Sequence, residues 1–235
     1  MTTKALADFT SSLTYDKLSP YSIEMAKQCV LDWLGVTIRG ALEEPSRIII
    51  NTVIKSTDKV ATVFSKNLIR ASVYDAAFCN SSSSQPLDFD DVYAPAAIHC
   101  SAVVIPSVFA IGEYEHKSGK EMIAAICAGY EAGARVGEAV NPEAYFFWHT
   151  TGTAGAIAAG AGAANLLHLD FEKTLMCYGT AGTQAAGLWE FLQNGAMSKV
   201  LHAGKSAYAG VLSAYLSQAG FSGWFEVRLQ GVRAG

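Results

Sequence analysis

The chain has 235 residues, of which 51% are apolar and only 16% charged, with a net charge of −4. Soluble domains average about 25% charged residues, so this one has a large interior or hides surface in an assembly. The slightly acidic balance, with no basic run, excludes a general binder of nucleic acid or of anionic lipid.

Helical signals dominate from the start. Thr3 to Leu13 forms a short amphipathic segment, and Ser19-Pro20 supplies an N-cap with proline at the first helical position. From Tyr21 to Ala41, residues Ile23, Ala26, Val30, Trp33, Leu34 and Ile38 recur at helical spacing. A further helix is expected over Ser46 to Ile54, a strand over Val60 to Phe64, and a helix from Ala71 to Phe78. Next come four serines, Ser81 to Ser84, and the acidic stretch Gln85 to Ala102, Q-P-L-D-F-D-D-V-Y-A-P-A-A-I-H-C-S-A. The serines and Pro95 bracket Asp88, Asp90 and Asp91 with turn chemistry. This is an active-site loop or a solvated acidic turn.

Ser101 is expected to cap an apolar helix from Ala102 to about His116, and Ser118 to Glu121 is a capping box opening a helix to about Ala139. Asn141-Pro142 stops that helix. The aromatic cluster Tyr145 to Trp148 delivers His149 and Thr150-Thr151-Gly152-Thr153 into a small-residue helix, capped by Thr150 or Thr151. Asp170 caps the next, expected to run to about Leu192. A polar break from Gln193 to Lys205 leads to a last helix near Ser206 to Gln218.

The expected architecture is one all-α domain, residues 1–220, followed by a tail, residues 221–235. There Trp224, Phe225, Val227 and Leu229 alternate like the first strand of an absent unit. Cys29, Cys79, Cys100, Cys127 and Cys177 contain no C-x-x-C pair. They are expected to be buried thiols of a cytoplasmic protein, with neither disulfides nor a zinc site. The N-terminus carries Asp8 and no long apolar run, so no signal peptide is expected. Two windows, Thr150 to Leu169 and Ser206 to Phe225, lack acidic and basic residues. Both are rich in Ala, Gly and Ser and thin in Leu and Ile, so they suit closely packed buried helices better than membrane spans.

Three of the five histidines sit at similar local positions: His99 and His149 just before helices, and His202 just ahead of the last one. A helix start carries unpaired N–H groups and partial positive charge, which favours anions and pushes a nearby imidazole toward neutrality. Several such ends aimed at one spot would bind a di- or tricarboxylate and remove a proton beside a carboxyl group. The alternative is that each histidine merely caps or packs. Lys199, the only full charge between Glu190 and Lys205, could act as a base, hold a carboxylate, or lie on the surface. His116 and His168 resemble helix-end groups. Asp88-Phe89-Asp90-Asp91 matches the D-x-D-D acid motif of class II terpene cyclases, without a partner motif. The aspartates could bind Mg²⁺, but no second acidic cluster completes a metal site. Gly160 to Asn165 lacks a third glycine and a preceding strand, so it is no dinucleotide fingerprint.

The chain as a whole resembles the MmgE/PrpD family, which includes 2-methylcitrate dehydratase, cis-aconitate decarboxylase and an iminodisuccinate epimerase. The resemblance rests on L-D-F-D-D (Leu87 to Asp91), H-C-S-A (His99 to Ala102) and A-G-Y-E-A-G-A-R-V-G (Ala128 to Gly137). It continues in H-T-T-G-T-A-G (His149 to Gly155), G-T-A-G-T-Q-A-A-G-L-W-E-F (Gly179 to Phe191) and S-K-V-L-H-A-G-K-S-A (Ser198 to Ala207), in family order. It implies a large helical domain and a smaller α+β lid, the latter expected to be absent here. It also implies a cofactor-free, usually dimeric enzyme acting on small polycarboxylates by dehydration, decarboxylation or epimerisation. His99, His149 and Lys199 fall on catalytic positions, and Asp88 and His202 on substrate-binding ones; Asp91, beside Asp88, is grouped with the latter. Val92 stands where many members carry threonine, and Cys100 and Thr150 replace prolines. The chain could alternatively be a non-catalytic helical unit that persists as a homodimer.

Overall fold

Local capping chemistry sets most helix starts in the computed structural model, which describes residues 2–55 and 57–223. Thr2 caps α1 (Thr3–Ser12) and Ser19, with Pro20 behind it, caps α2 (Pro20–Gly40). Ser72 caps α4 (Val73–Ser84), and Ser118 and Glu121 form a complete capping box on α6 (Gly119–Val140). Asp170 caps α8 (Phe171–Gly182). Each such bond satisfies an otherwise orphaned N–H and contributes about 1 kcal/mol. The remaining helices are α3 (Glu44–Val53), α5 (Cys100–Tyr114), α7 (Thr150–Leu166) and α9 (Lys199–Gln218). The expected all-α class holds, apart from one short antiparallel hairpin, β1 (Ala61–Val63) with β2 (Ile69–Ala71).

Helix α7 is the axis of the bundle. It is buried along its length, with only Thr153 and Ile157 half-buried, and packs against α5, α6, α8 and α9. Its Ala and Gly residues permit backbone-to-backbone approach. A Cβ added at Gly210 of α9 would sit 2.5 Å from the Gly160 nitrogen, and one at Gly129 of α6 would sit 2.9 Å from the Ala158 carbonyl oxygen. The charge-free windows are therefore largely interior over α7 and over α9 as far as Ser217, and among the described residues no helix is long and apolar enough to cross a membrane. A second apolar focus lies where fully buried Trp33 of α2 meets Phe64 and Phe109, at ring-centroid distances of 5.7 and 5.1 Å.

Several sequence expectations give way to tertiary context. Ser81 to Ser84 do not form a turn: they complete α4 and are buried. Two of the four hydroxyls donate to carbonyls, Ser84 Oγ back to Ser81 and Ser81 Oγ across to Ala102 of α5 at 2.5 Å, while those of Ser82 and Ser83 are buried without a partner among the described residues. Helix α8 stops at Gly182, ten residues before the expected end, and a 3₁₀ turn (Trp189–Gln193) follows. Helix α9 starts at Lys199, seven residues early, after a turn in which Gly195 adopts φ +67°. Neither Ser101 nor a threonine caps α5 or α7; His99 and His149 themselves hold the N-cap positions. The tail's Trp224, Phe225, Val227 and Leu229 lie outside the described residues.

Candidate active site

The acidic loop leaves α4 at Gln85 and turns sharply at Asp88, which adopts φ +52°, a conformation aspartate tolerates better than most residues. The three carboxylates then take different partners. Asp91 is consumed structurally: Oδ1 accepts the Ser101 N–H of α5 at 2.9 Å, and Oδ2 accepts the Tyr130 hydroxyl of α6 at 2.7 Å. Burial and the neighbouring Asp91 hold the Tyr130 phenol well above its ordinary range, so it remains a donor. Asp91 thus caps α5 from a distance and pins the loop. Asp90 is turned inward with a fully buried side chain, accepting from Gln85 Nε2. Asp88 is turned outward, its side chain 62% exposed, and accepts a hydrogen bond from Lys199 Nζ in the first turn of α9.

His99 stands between the last two. Its backbone N–H donates to Thr151 Oγ1 at 3.2 Å, tying the start of α5 to that of α7. Nδ1 lies 3.3 Å from Asp90 Oδ2, an ion-pair distance outside hydrogen-bond alignment, and Nε2 lies 4.0 Å from Asp88 Oδ1. Burial alone would lower the affinity of this ring for a proton, but the Asp90 carboxylate outweighs it and the pKa is raised. At Asp88, burial is likewise outweighed, here by the Lys199 ammonium, and the carboxyl is held below its usual range.

His149 has the opposite character. Its N–H donates to the Gly187 carbonyl at 2.8 Å, and its ring packs against Trp189 with Nδ1 3.1 Å from His202 Nδ1. That contact is a hydrogen bond when one Nδ1 is protonated and the other is not. Burial, followed by the nearby His202, Lys199 and His99, pushes the His149 pKa down to about 3. His202 is lowered too, by burial and then by Lys205 and Lys199. Gly187 makes the pairing possible: at φ +152°, any Cβ there would fall 3.1 Å from His202 Nδ1. The His99 and His149 rings meet edge to face, 6.4 Å between centroids and 65° between planes.

Residues from three helix starts and one loop therefore meet in one place, and the starts of α5, α7 and α9 all turn toward it. Asp88, His99, His149, Lys199 and His202 come together; Asp91 is adjacent, but its oxygens are engaged away from the cluster. A cavity of about 570 Å³ opens beside His202, lined also by Phe78, Trp148, Gly187, Phe191 and Lys205. A larger groove of about 1400 Å³ lies among α1, α6, α7 and α8, and none of the five residues lines it. Among the described residues, Asp88, Asp90 and His99 form the grouping of metal-ligand type, with atoms within 4.8 Å of one another. Within the trio, Asp88 is already bonded by Lys199 and Asp90 by the neutral amide of Gln85.

Residues 4–233 match the MmgE/PrpD N-terminal domain. The chain belongs to the MmgE/PrpD family. Relatives carry the names of decarboxylases. A cis-aconitate decarboxylase-like protein, oryM, of Aspergillus oryzae is 33% identical over 157 residues, covering 63% of this chain and 32% of the relative. The cis-aconitate decarboxylases of Aspergillus terreus and Homo sapiens are each 27% identical, over 93% and 94% of this chain and 46% and 47% of their own lengths. The chain thus spans from a third to about half of the relatives it matches.

In this MmgE/PrpD chain, sequence reasoning singled out the histidines and Lys199 but gave no individual role to Asp90, Gln85, Tyr130 or Gly187. Nothing in D-F-D-D marks which carboxylate faces in: residues two apart in extended chain share a side, and the left-handed turn at Asp88 is what separates Asp88 from Asp90. Gly187 follows A-A in a stretch expected to be helical, and nothing local marks it. His116 and His168 lie at helix ends with φ +53°, and His168 Nε2 contacts Glu121 at 3.0 Å.

Proposed function

We propose that this chain carries the acid–base centre of a lyase-type enzyme acting on a small di- or tricarboxylate. The convergence of a Lys199–Asp88 pair, a proton-rich His99 and a proton-poor His149 around one space supports it most strongly. Two titratable groups driven apart by their surroundings mark an acid and a base. Lys199 takes one substrate carboxylate, joining or displacing Asp88, and the starts of α5, α7 and α9 favour the others. An imidazole held near pKa 3 is a weak base; burial depresses it first, and the positive charge around it adds to that. A bound polycarboxylate cancels that charge and brings His149 back toward useful basicity. His149 then takes the proton α to a carboxylate. With that proton taken, His99 delivers its own from Nε2 to the departing hydroxyl in a dehydration; in a decarboxylation no α-proton is taken, and the carbon that loses CO₂ keeps the electron pair and accepts one proton from His99 Nε2. Reprotonation from the opposite face would give epimerisation, the alternative outcome of the same geometry.

The test is turnover of the purified chain with cis-aconitate, 2-methylcitrate and iminodisuccinate, with product followed by mass spectrometry. Turnover of one of them, lost in His149→Asn and Lys199→Ala, supports the reading. Absence of turnover and of binding for all three refutes it. Exposed apolar side chains, including Tyr21, Leu31, Phe89, Phe146, Phe147, Leu188 and Leu192, favour a homodimer, and with it the second reading of a non-catalytic dimerising unit. A monomer by light scattering that turns over substrate removes that second reading.

A further inference from the structure

We propose that Asp90, held by Gln85, is the positioning residue of His99: it fixes the ring so that Nδ1 faces the protein and Nε2 faces the substrate. The inference rests on the acid–base reading above and assigns a role to a carboxylate that reading leaves unused.

Asp90 has few other reasons to be where it is. Its side chain is fully buried, whereas Asp88, two residues away, is 62% exposed. A buried carboxylate is costly unless charge or hydrogen bonds compensate it. Among the described residues, no lysine or arginine pairs with Asp90; its neighbours are the Gln85 amide and the His99 ring. Gln85 is itself only 1% exposed. Its amide orientation is dictated by the contact, since turning it over would set two oxygens against each other. The carboxylate is thus braced from behind and has one ring in front of it.

Geometry then determines which ring nitrogen does what. Nδ1 lies 3.3 Å from Asp90 Oδ2, within reach of its charge though outside hydrogen-bond alignment, whereas Nε2 lies 4.0 Å from an Asp88 that Lys199 already bonds. The nearer carboxylate therefore keeps the neutral ring's proton on Nδ1 and leaves Nε2 on the Asp88 and Lys199 side. When the ring gains a second proton, that proton is on Nε2, on the side where substrate sits. The charged or titratable groups facing His99 are Asp90 behind, Asp88 and Lys199 in front, and His149 across the gap. Of the two carboxylates among these, only Asp90 is buried and braced. A buried carboxylate that selects the tautomer and orientation of a working imidazole is a general device; here it is built from Gln85, Asp90 and His99.

The experiment is nitrogen-15 NMR of histidine side chains in the full chain, with the His99 signals assigned by their loss in His99→Gln. In the wild type, neutral His99 is expected as the Nδ1–H tautomer; the Nε2–H tautomer overturns the proposal without any variant. In folded Asp90→Asn, the His99 titration is expected to move down by about one pH unit or more. An unchanged titration and tautomer overturns the proposal. Where a polycarboxylate is turned over, Asp90→Asn should lower kcat about 10- to 100-fold with KM within about threefold, since Asp90 does not touch substrate. A rise in KM alone counts against it. Failure of the functional reading is told apart by the absence of turnover in the wild type, while the NMR signals still decide the role of Asp90.

Discussion

Because His149 is buried and surrounded by positive groups, the unfolded chain takes up a proton near pH 6.5 that the folded chain refuses until about pH 3. A histidine whose folded pKa is depressed therefore opposes folding as pH falls. The penalty grows by about 1.4 kcal/mol per pH unit below the unfolded value. Between pH 6.5 and 5 this amounts to about 2 kcal/mol, a large share of a stability of roughly 5–15 kcal/mol. His202, also lowered, acts in the same direction. His99 acts oppositely: its raised pKa contributes stability below the unfolded value, and that contribution is lost as pH rises through the folded one. Replacing His149 by asparagine keeps a donor near His202 and removes the titration. Urea unfolding at pH 7, 6 and 5 should show the wild type losing about 2 kcal/mol more than His149→Asn over that range. Parallel curves for the two proteins would refute the claim that His149 is held neutral.

Gly187→Ala puts a Cβ 3.1 Å from His202 Nδ1 at a strained φ; it should cost about 1–3 kcal/mol by thermal melting and reduce turnover at least about tenfold. Asp91→Ala leaves the Ser101 N–H and the Tyr130 hydroxyl without their acceptor and should destabilise by about 2–4 kcal/mol in urea. Asp88→Ala, at an exposed carboxylate, should cost less than about 1 kcal/mol yet alter binding of a tricarboxylate by calorimetry. Lys199→Ala should lower kcat/KM at least about 10- to 100-fold, and wild-type values would remove Lys199 from the site.

Elements whose ends are set by local chemistry were legible in the sequence. Ser19-Pro20, the Ser118–Glu121 box and Asp170 each mark a helix start where the structure has one. The elements that eluded reading are set by packing. Ser81 to Ser84 look like a turn, but α5 and α9 accept only small side chains on that face of α4. Lys199 and His202 look like part of a polar break, yet they open α9 because the chain has already turned at Gly195. The same division holds at the site. Histidines ahead of helices stand out by position, whereas Asp88, Asp90 and Asp91 are alike in sequence. What separates them is a left-handed turn at Asp88 and a tyrosine 39 residues beyond Asp91.

The account depends on one space serving as a polycarboxylate site, and a crystal structure with bound tricarballylate, a saturated tricarboxylate with no hydroxyl to lose, tests it most directly. The account predicts one carboxylate on Lys199 Nζ and the carbon chain within reach of both the His99 and His149 rings. A tricarballylate bound elsewhere, or one out of reach of either ring, would contradict it.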